Sequence, residues 1–67
     1  MNKIADFVEW ELQMFRDKCN FTERELEFFN LRAKGKSNIE ISFAMHISES
    51  MVNKLARKVK TKMLKVL

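Results

Sequence analysis

The sequence predicts an all-α domain built from four helices. Its 67 residues include one glycine and no proline, so residues that form tight turns are scarce. Strong helix formers such as Leu, Met, Lys, Glu and Arg are abundant, and apolar residues recur every three or four positions. A chain of this length forms one small core at most, which leaves little room for a catalytic cleft.

The first predicted helix spans residues 3–18 and has an unusually wide apolar surface. Its two neighbouring stripes are Ile4, Val8, Leu12 and Phe15, and Phe7, Trp10 and Met14. Together the stripes cover more than half of the helix circumference, which is more than one neighbouring helix can bury. We therefore expect this helix either to lie deep among the others or to contact a second copy of the chain.

Capping signals mark the starts of the next helices. Thr22 with Glu25 forms a capping box, Phe21 with Leu26 has the spacing of a hydrophobic staple, and Gly35 should end that helix. These residues predict a second helix over residues 22–35.

A second capping box, Ser37 with Glu40, predicts a short third helix that ends near Met45. His46 then breaks the helix, and Ser48 caps the one that follows. His46 has only Cys19 as a thiol companion, so we interpret it as a turn residue that tolerates an unusual backbone angle, and we predict no metal site and no cofactor.

The last predicted helix, residues 49–64 or beyond, has two different sides. The side expected to face the core consists of Val52, Leu55, Ala56, Val59, Met63 and Val66. The opposite side consists of Ser50, Lys54, Arg57, Lys58, Thr61 and Lys65. From residue 51 onward there are six Lys or Arg and no Asp or Glu, so the outer side carries charge of one sign.

The net charge of +4 is unevenly distributed along the chain. Residues 1–31 carry seven acids and four bases, a net −3, whereas residues 32–67 carry nine bases and two acids, a net +7. A basic half on a small domain favours a polyanionic partner, for which nucleic acid is the usual candidate, over a merely solvated charged face. The single Cys19 excludes an internal disulfide and fits a reducing cytoplasm, and no apolar run predicts a membrane span or a signal peptide.

Two helices joined by a short turn, the second with a capped start and outward-facing bases, have the layout of a helix-turn-helix. In that motif the second helix enters the major groove of double-stranded DNA, and the first lies across the backbone. The sequence therefore predicts duplex DNA as the partner.

Residues 21–64 resemble the LuxR/GerE-type helix-turn-helix domain without a gap. The matching positions are Thr22, Arg24, Glu25, Leu31, Gly35, Ser37, Asn38, Glu40, Ile41, Ile47, Ser48, Val52 and Lys62. The resemblance implies a three-helix core at 21–67. The helix predicted within residues 1–20 is additional to that core, and its wide apolar surface is expected to serve packing or dimerisation. The resemblance also implies a cytoplasmic bacterial or phage transcription regulator that usually binds DNA as a dimer.

Carried over position by position, the resemblance implies that Asn53, Lys54 and Arg57 read bases. The hydrogen-bonding groups of these side chains would suit guanine for Lys54 and Arg57 and adenine for Asn53. The flanking or phosphate-contacting set is Lys34, Lys36, Ser37, Asn38, Ser48, Ser50, Met51, Lys58, Thr61 and Lys62. The chain departs from the family at Ser42, His46, Met51 and Leu55. Met51 could touch a thymine methyl group or cover the edge of the core, and both roles stay open.

The dimer surface has to differ from the family's, because the C-terminal helix that usually forms it does not follow here. The expected dimer or partner surface is Phe7, Trp10, Met14, Ile39 and Phe43. Ile39 and Phe43 either receive the N-terminal helix within one chain or contact another molecule.

The function that follows is a sequence-specific DNA-binding regulator, in the form of a small homodimeric repressor. The alternative is an adaptor that docks on RNA polymerase or another regulator through Trp10, Ile39 and Phe43. The sequence lacks a Ser-His-acid set, a metal cluster and a glycine-rich phosphate loop, so it does not predict an enzyme.

Overall fold

The computed structural model describes residues 4–67. A 3-10 turn at Ile4–Asp6 precedes four α-helices, and no strand occurs among the described residues. The helices are α1 (Glu9–Lys18), α2 (Glu23–Ala33), α3 (Asn38–Met45) and α4 (Glu49–Val66). The predicted all-α fold of four helices is confirmed.

The start of the first helix differs from the prediction of one helix over residues 3–18. The chain leaves the 3-10 turn at Phe7 and Val8, so α1 begins only at Glu9. The Val8 amide donates to the Glu11 carboxylate at 3.0 Å, which satisfies one of the amides exposed at the helix start. The break also brings the Phe7 ring edge-on to Phe15 at 5.0 Å between centroids. In one straight helix these residues would lie about 12 Å apart along the axis, too far for contact.

The predicted capping residues and left-handed turn residues are found at the ends of the other helices. The hydroxyls of Thr22, Ser37 and Ser48 each accept a hydrogen bond from the backbone amide three residues later, at 3.1 to 3.2 Å. Gly35 ends the α2 segment at φ +86°, and His46 ends α3 at φ +58°. Both residues adopt the left-handed conformation, so the predicted role of His46 as a turn residue is confirmed.

All four helices contribute to one hydrophobic core. The buried apolar residues are Leu12, Phe15, Cys19, Phe28, Phe29, Ile41, Val52, Leu55, Val59 and Met63. Phe29 lies at the centre of an aromatic group, with centroids 6.3 Å from Phe15 and 5.1 Å from Phe21. The core face predicted for α4 is confirmed, because four of its residues are buried and Ala56 and Val66 pack partly buried against the cluster.

One partly buried ion pair connects α2 to α4. The Lys62 ammonium lies 2.5 Å from the Glu25 carboxylate and 3.3 Å from the Asn20 carbonyl oxygen, to which it also donates. Glu25 is the only buried charged residue among those described. Burial alone would raise the pKa of Glu25, but the hydrogen bonds from Lys62 and Thr22 outweigh it and lower the pKa below its usual value of 4.5.

We predict that Glu25→Gln destabilises the fold in a pH-dependent way. Glutamine can still cap α2, but it cannot form the ion pair, so the free energy of unfolding at pH 7 should fall by about 1 to 3 kcal/mol. Because the folded-state pKa is lowered, this stabilisation is present above the unfolded-state pKa and is lost as the pH falls through the folded-state pKa. Urea unfolding at pH 7 and near pH 3 measures the difference, which should shrink in acid. A difference that stayed constant with pH would show that the charge of Glu25 is not its source.

Candidate nucleic-acid interface

The outer side of α4 is an exposed basic surface that begins near the helix N-terminus. Asn53, Lys54, Arg57 and Lys58 are exposed, as are Ser50, Thr61 and Lys65, so the outer side predicted for α4 is confirmed. We define the α4 basic face as Lys54, Arg57, Lys58 and Lys65. Glu49 is the only acid of α4, and it lies in the first turn, where a carboxylate favours the positive end of the helix dipole.

The turn between α3 and α4 places the starts of the two helices side by side. The turn is three residues long, from His46 to Ser48, and Ile47 packs partly buried against the core. The Asn38 side-chain amide, at the start of α3, donates to the Asn53 side-chain oxygen on the first turns of α4 at 3.2 Å. The residues at the start of α3 therefore adjoin the N-terminal part of the α4 basic face.

Arg32 at the end of α2 joins this group, although the sequence did not predict it. Its guanidinium donates to the Lys36 carbonyl oxygen at 3.2 Å and to the side-chain oxygen of Asn38, and it stacks over the Phe28 ring at 5.2 Å. Burial lowers the pKa of Arg32, which nevertheless stays charged as arginine does in proteins. Its position four residues after Phe28 was the available signal, since side chains at that spacing share a helix face.

This arrangement has the parts of a DNA-binding helix-turn-helix: a short turn, adjacent helix starts and an exposed basic second helix. Residues 19–65 match the model of the family described as bacterial regulatory proteins, luxR family (GerE). The chain belongs to the luxR family. Domains of this family are DNA-binding helix-turn-helix regulators. Searches of curated proteins and of solved structures returned no match.

The luxR-family match includes α2 and α3 and ends within α4, whereas α1 lies outside it. The helix-turn-helix consists of α3 and α4, and α2 supports both. The α1 helix nevertheless buries Leu12 and Phe15 in the same core. It is therefore an integral part of this fold, joined to a luxR-family unit.

The loop before α3 adds further bases near the helix starts. Lys34 and Lys36 are exposed there, and Arg32 holds the Lys36 backbone close to Asn38. The hydroxyl oxygens of Ser37 and Ser48 accept hydrogen bonds from backbone amides. These serines therefore stabilise the helix starts, and they can still donate their hydroxyl hydrogens outward.

Three of the predicted flanking residues have additional contacts. The Thr61 hydroxyl donates to the Arg57 carbonyl oxygen at 3.0 Å. Met51 is partly buried and packs against the core, which supports the second of its two predicted roles. Lys62 differs most from its prediction, because its ammonium is bound to Glu25 and is not displayed with the α4 basic face. Its spacing of seven residues from the buried Leu55 places it beside the core, so we exclude it from the phosphate-contacting set.

Of the two alternatives left open for Ile39 and Phe43, burial beneath the N-terminal helix within one chain is contradicted. α1 packs against α4, and Ile39 and Phe43 on α3 stay 54% and 75% exposed. Trp10 on the outer side of α1 is 71% exposed, beside the partly buried Met14. The luxR-family domain therefore has exposed apolar side chains on both α1 and α3.

Among residues 4–67, no group of three or more His, Cys, Asp or Glu is placed to hold a metal ion. In that same range, no helix combines the length and apolar character needed to cross a membrane.

Lys58 and Lys62 form a matched pair of lysines on α4. Lys58 is exposed for DNA binding, whereas Lys62 stabilises the fold through Glu25. Lys62→Met should lower the free energy of unfolding by about 1 to 3 kcal/mol, because it leaves the Glu25 carboxylate buried without its partner. Lys58→Met should change stability by less than about 0.5 kcal/mol, since it is an exposed surface substitution, but it should weaken DNA binding. Urea unfolding and fluorescence anisotropy with a labelled duplex measure the two effects. Equal stability losses in both variants would contradict the assignment.

Proposed function

We propose that this luxR-family domain binds specific double-stranded DNA sequences and regulates transcription, with α4 inserted into the major groove. The observation that carries the proposal is the two-sided character of α4. One side is buried in the core, and the other displays Lys54, Arg57 and Lys58 to solvent. An α-helix fits the major groove, where side chains can distinguish all four base pairs.

The residues of α4 and of the loop before α3 have separate tasks in this proposal. Arg57 and Lys54 donate to the guanine acceptors O6 and N7, and Asn53 reads a neighbouring base. A good two-bond contact between a side chain and a base is worth about 1 to 3 kcal/mol of discrimination. Lys58, Lys34 and Lys36 bind phosphates, which adds affinity for every sequence and makes binding sensitive to salt.

We further propose that the domain acts as a homodimer and that α1 forms the interface. Trp10 is exposed on the side of α1 opposite Leu12 and Phe15, which are in the core, and the partly buried Met14 lies beside it at the core edge. Tryptophan is enriched among the residues that contribute most to protein interfaces. A two-fold dimer would present two α4 helices to half-sites about 34 Å apart, which favours a palindromic operator.

A repressor in the cytoplasm of a bacterium or a phage-infected cell is the biological role that this proposal favours. A dimer that covers a palindromic operator can block transcription through occupancy alone. Neither a ligand nor an enzymatic step is needed for that mechanism, which suits a compact luxR-family DNA-binding unit.

A second candidate function is supported by the exposure of Phe43 and Ile39. In that alternative, the domain is an adaptor that docks on RNA polymerase or another regulator through Trp10, Ile39 and Phe43. Their exposed fractions of 71%, 54% and 75% leave large apolar surfaces available to a protein partner. Phosphate contacts are weakened steeply by salt, whereas apolar contacts are not, so salt dependence distinguishes the two functions.

We predict that Arg57→Ala and Lys36→Ala weaken DNA binding in different ways. Arg57→Ala should relax the preference for one base pair by about 1 to 3 kcal/mol, because it removes a base contact. Lys36→Ala should weaken all duplexes about equally and reduce the slope of log affinity against log salt by about one. The measurement is selection from random duplexes with the wild-type chain, followed by titrations at several salt concentrations. If Arg57→Ala weakened specific and random duplexes to the same extent, its base-reading role would be contradicted.

The dimer proposal is tested by two matched aromatic residues. Trp10→Glu should convert a dimer into a monomer, because it places a charge at the centre of the proposed interface. Phe43→Glu alters an equally exposed aromatic residue on α3 and should leave the dimer intact. Light scattering after size-exclusion chromatography, over a range of concentrations, gives the mass of each variant. A dimer that survives Trp10→Glu but dissociates with Phe43→Glu would move the interface to α3, and a monomeric wild type would refute the homodimer.

A further inference from the structure

Three side chains from three helices form a continuous chain of hydrogen bonds that ends at the start of α4. Arg32 on α2 donates to the side-chain oxygen of Asn38 on α3. The side-chain nitrogen of Asn38 donates to the side-chain oxygen of Asn53 on α4 at 3.2 Å. The bonds join residues 6 and 15 positions apart in sequence, so only the fold brings them together.

The direction of these bonds is fixed by the chemistry of Arg32. A guanidinium group has five N–H donors and no acceptor, so the Asn38 atom that faces it has to be the amide oxygen. The Asn38 nitrogen is then the atom that faces Asn53, and it requires an acceptor there. Asn53 consequently turns its oxygen toward Asn38, which leaves its amide nitrogen for the groove.

Arg32 can fix the orientation of the Asn38 amide, because the guanidinium is itself held by two further contacts. The guanidinium stacks over Phe28 at 5.2 Å and donates to the Lys36 carbonyl oxygen at 3.2 Å. Arg32 is partly buried, whereas Asn53, at the other end of this series of hydrogen bonds, is exposed. The fixed orientation is therefore passed from a partly buried side chain to an exposed one.

We propose that Arg32 and Asn38 are positioning residues that make Asn53 a hydrogen-bond donor toward DNA. This inference rests on the proposed insertion of α4 into the major groove. A donor selects a base edge that offers acceptors, and guanine offers two in the major groove, O6 and N7. The two-bond contact between asparagine and adenine needs the amide oxygen and nitrogen to face the base together, whereas the Asn53 oxygen is turned toward Asn38. Guanine, with its two acceptors, is therefore the expected partner of Asn53, and the predicted contact with adenine is disfavoured.

The test is Asn38→Asp, which should reverse the donor and acceptor roles in the hydrogen bond between residues 38 and 53. A carboxylate only accepts hydrogen bonds, so Asp at this position would accept from both Arg32 and the Asn53 nitrogen. The Asn53 oxygen would then face the groove and favour a base edge with a donor, adenine N6 or cytosine N4. Asn38→Ala, which fixes neither orientation, serves as the matched control, and Asn53→Ala identifies the base pair that is read. Each variant and the wild type is used in selection from random duplexes, and circular dichroism establishes that each is folded.

The expected result is a change of preference confined to one base pair of each half-site. Asn53→Ala should lose the preference there, Asn38→Ala should reduce it roughly three- to tenfold, and Asn38→Asp should shift it to adenine or cytosine. Identical preferences in wild type and Asn38→Asp, with uniformly weaker binding, would overturn the inference and leave DNA binding intact. If Asn38→Asp did not fold, an unchanged preference in Asn38→Ala would overturn it equally. A wild-type chain that selected no sequence would refute the proposed function, and this inference with it.

Discussion

The structure depends on the burial of one side of α4. Val52, Leu55, Val59 and Met63 are at most 7% exposed, and burial of each such side chain is worth about 1.5 to 3 kcal/mol. Exposed ion pairs contribute about 0 to 1 kcal/mol each, so the apolar residues decide how α4 is rotated about its axis. Since successive residues are separated by about 100°, that rotation also fixes the outward direction of Lys54 and Arg57. The core and the proposed DNA-binding surface are thus two consequences of one packing interaction.

The ends of the helices determine where this basic surface lies relative to α3. His46 takes a left-handed backbone conformation, and Ser48 caps α4, so the chain passes from α3 into α4 within three residues. The starts of α3 and α4 come together as a result, and polar side chains there interact across helices. The Arg32, Asn38 and Asn53 chain forms at this junction, where side-chain orientation would affect contact with bases.

The α4 lysines show how similar residues acquire different tasks. Lys58 is exposed opposite the core, whereas Lys62, one turn further along, reaches back to Glu25. The ion pair between Lys62 and Glu25 joins α4 to the capped start of α2. A basic residue that counts toward net charge in the sequence can therefore be part of the fold and make no contribution to a binding surface. Net charge by itself overstates the number of cations that are available to DNA.

The sequence by itself determined the features that depend on neighbours within one helical turn. The capping pairs of α2 and α3, the left-handed residues Gly35 and His46, and the two sides of α4 are encoded by residues at most a few positions apart, and all of them were predicted. The tertiary structure alone decided the break at Phe7 and Val8, the exposure of Phe43, and the polar contacts made by Lys62 and Arg32. These features depend on which surfaces meet across the core, as in the 37-residue separation of Glu25 and Lys62. Helical periodicity gives the direction of a side chain around its own helix, but it does not specify which other helix lies opposite.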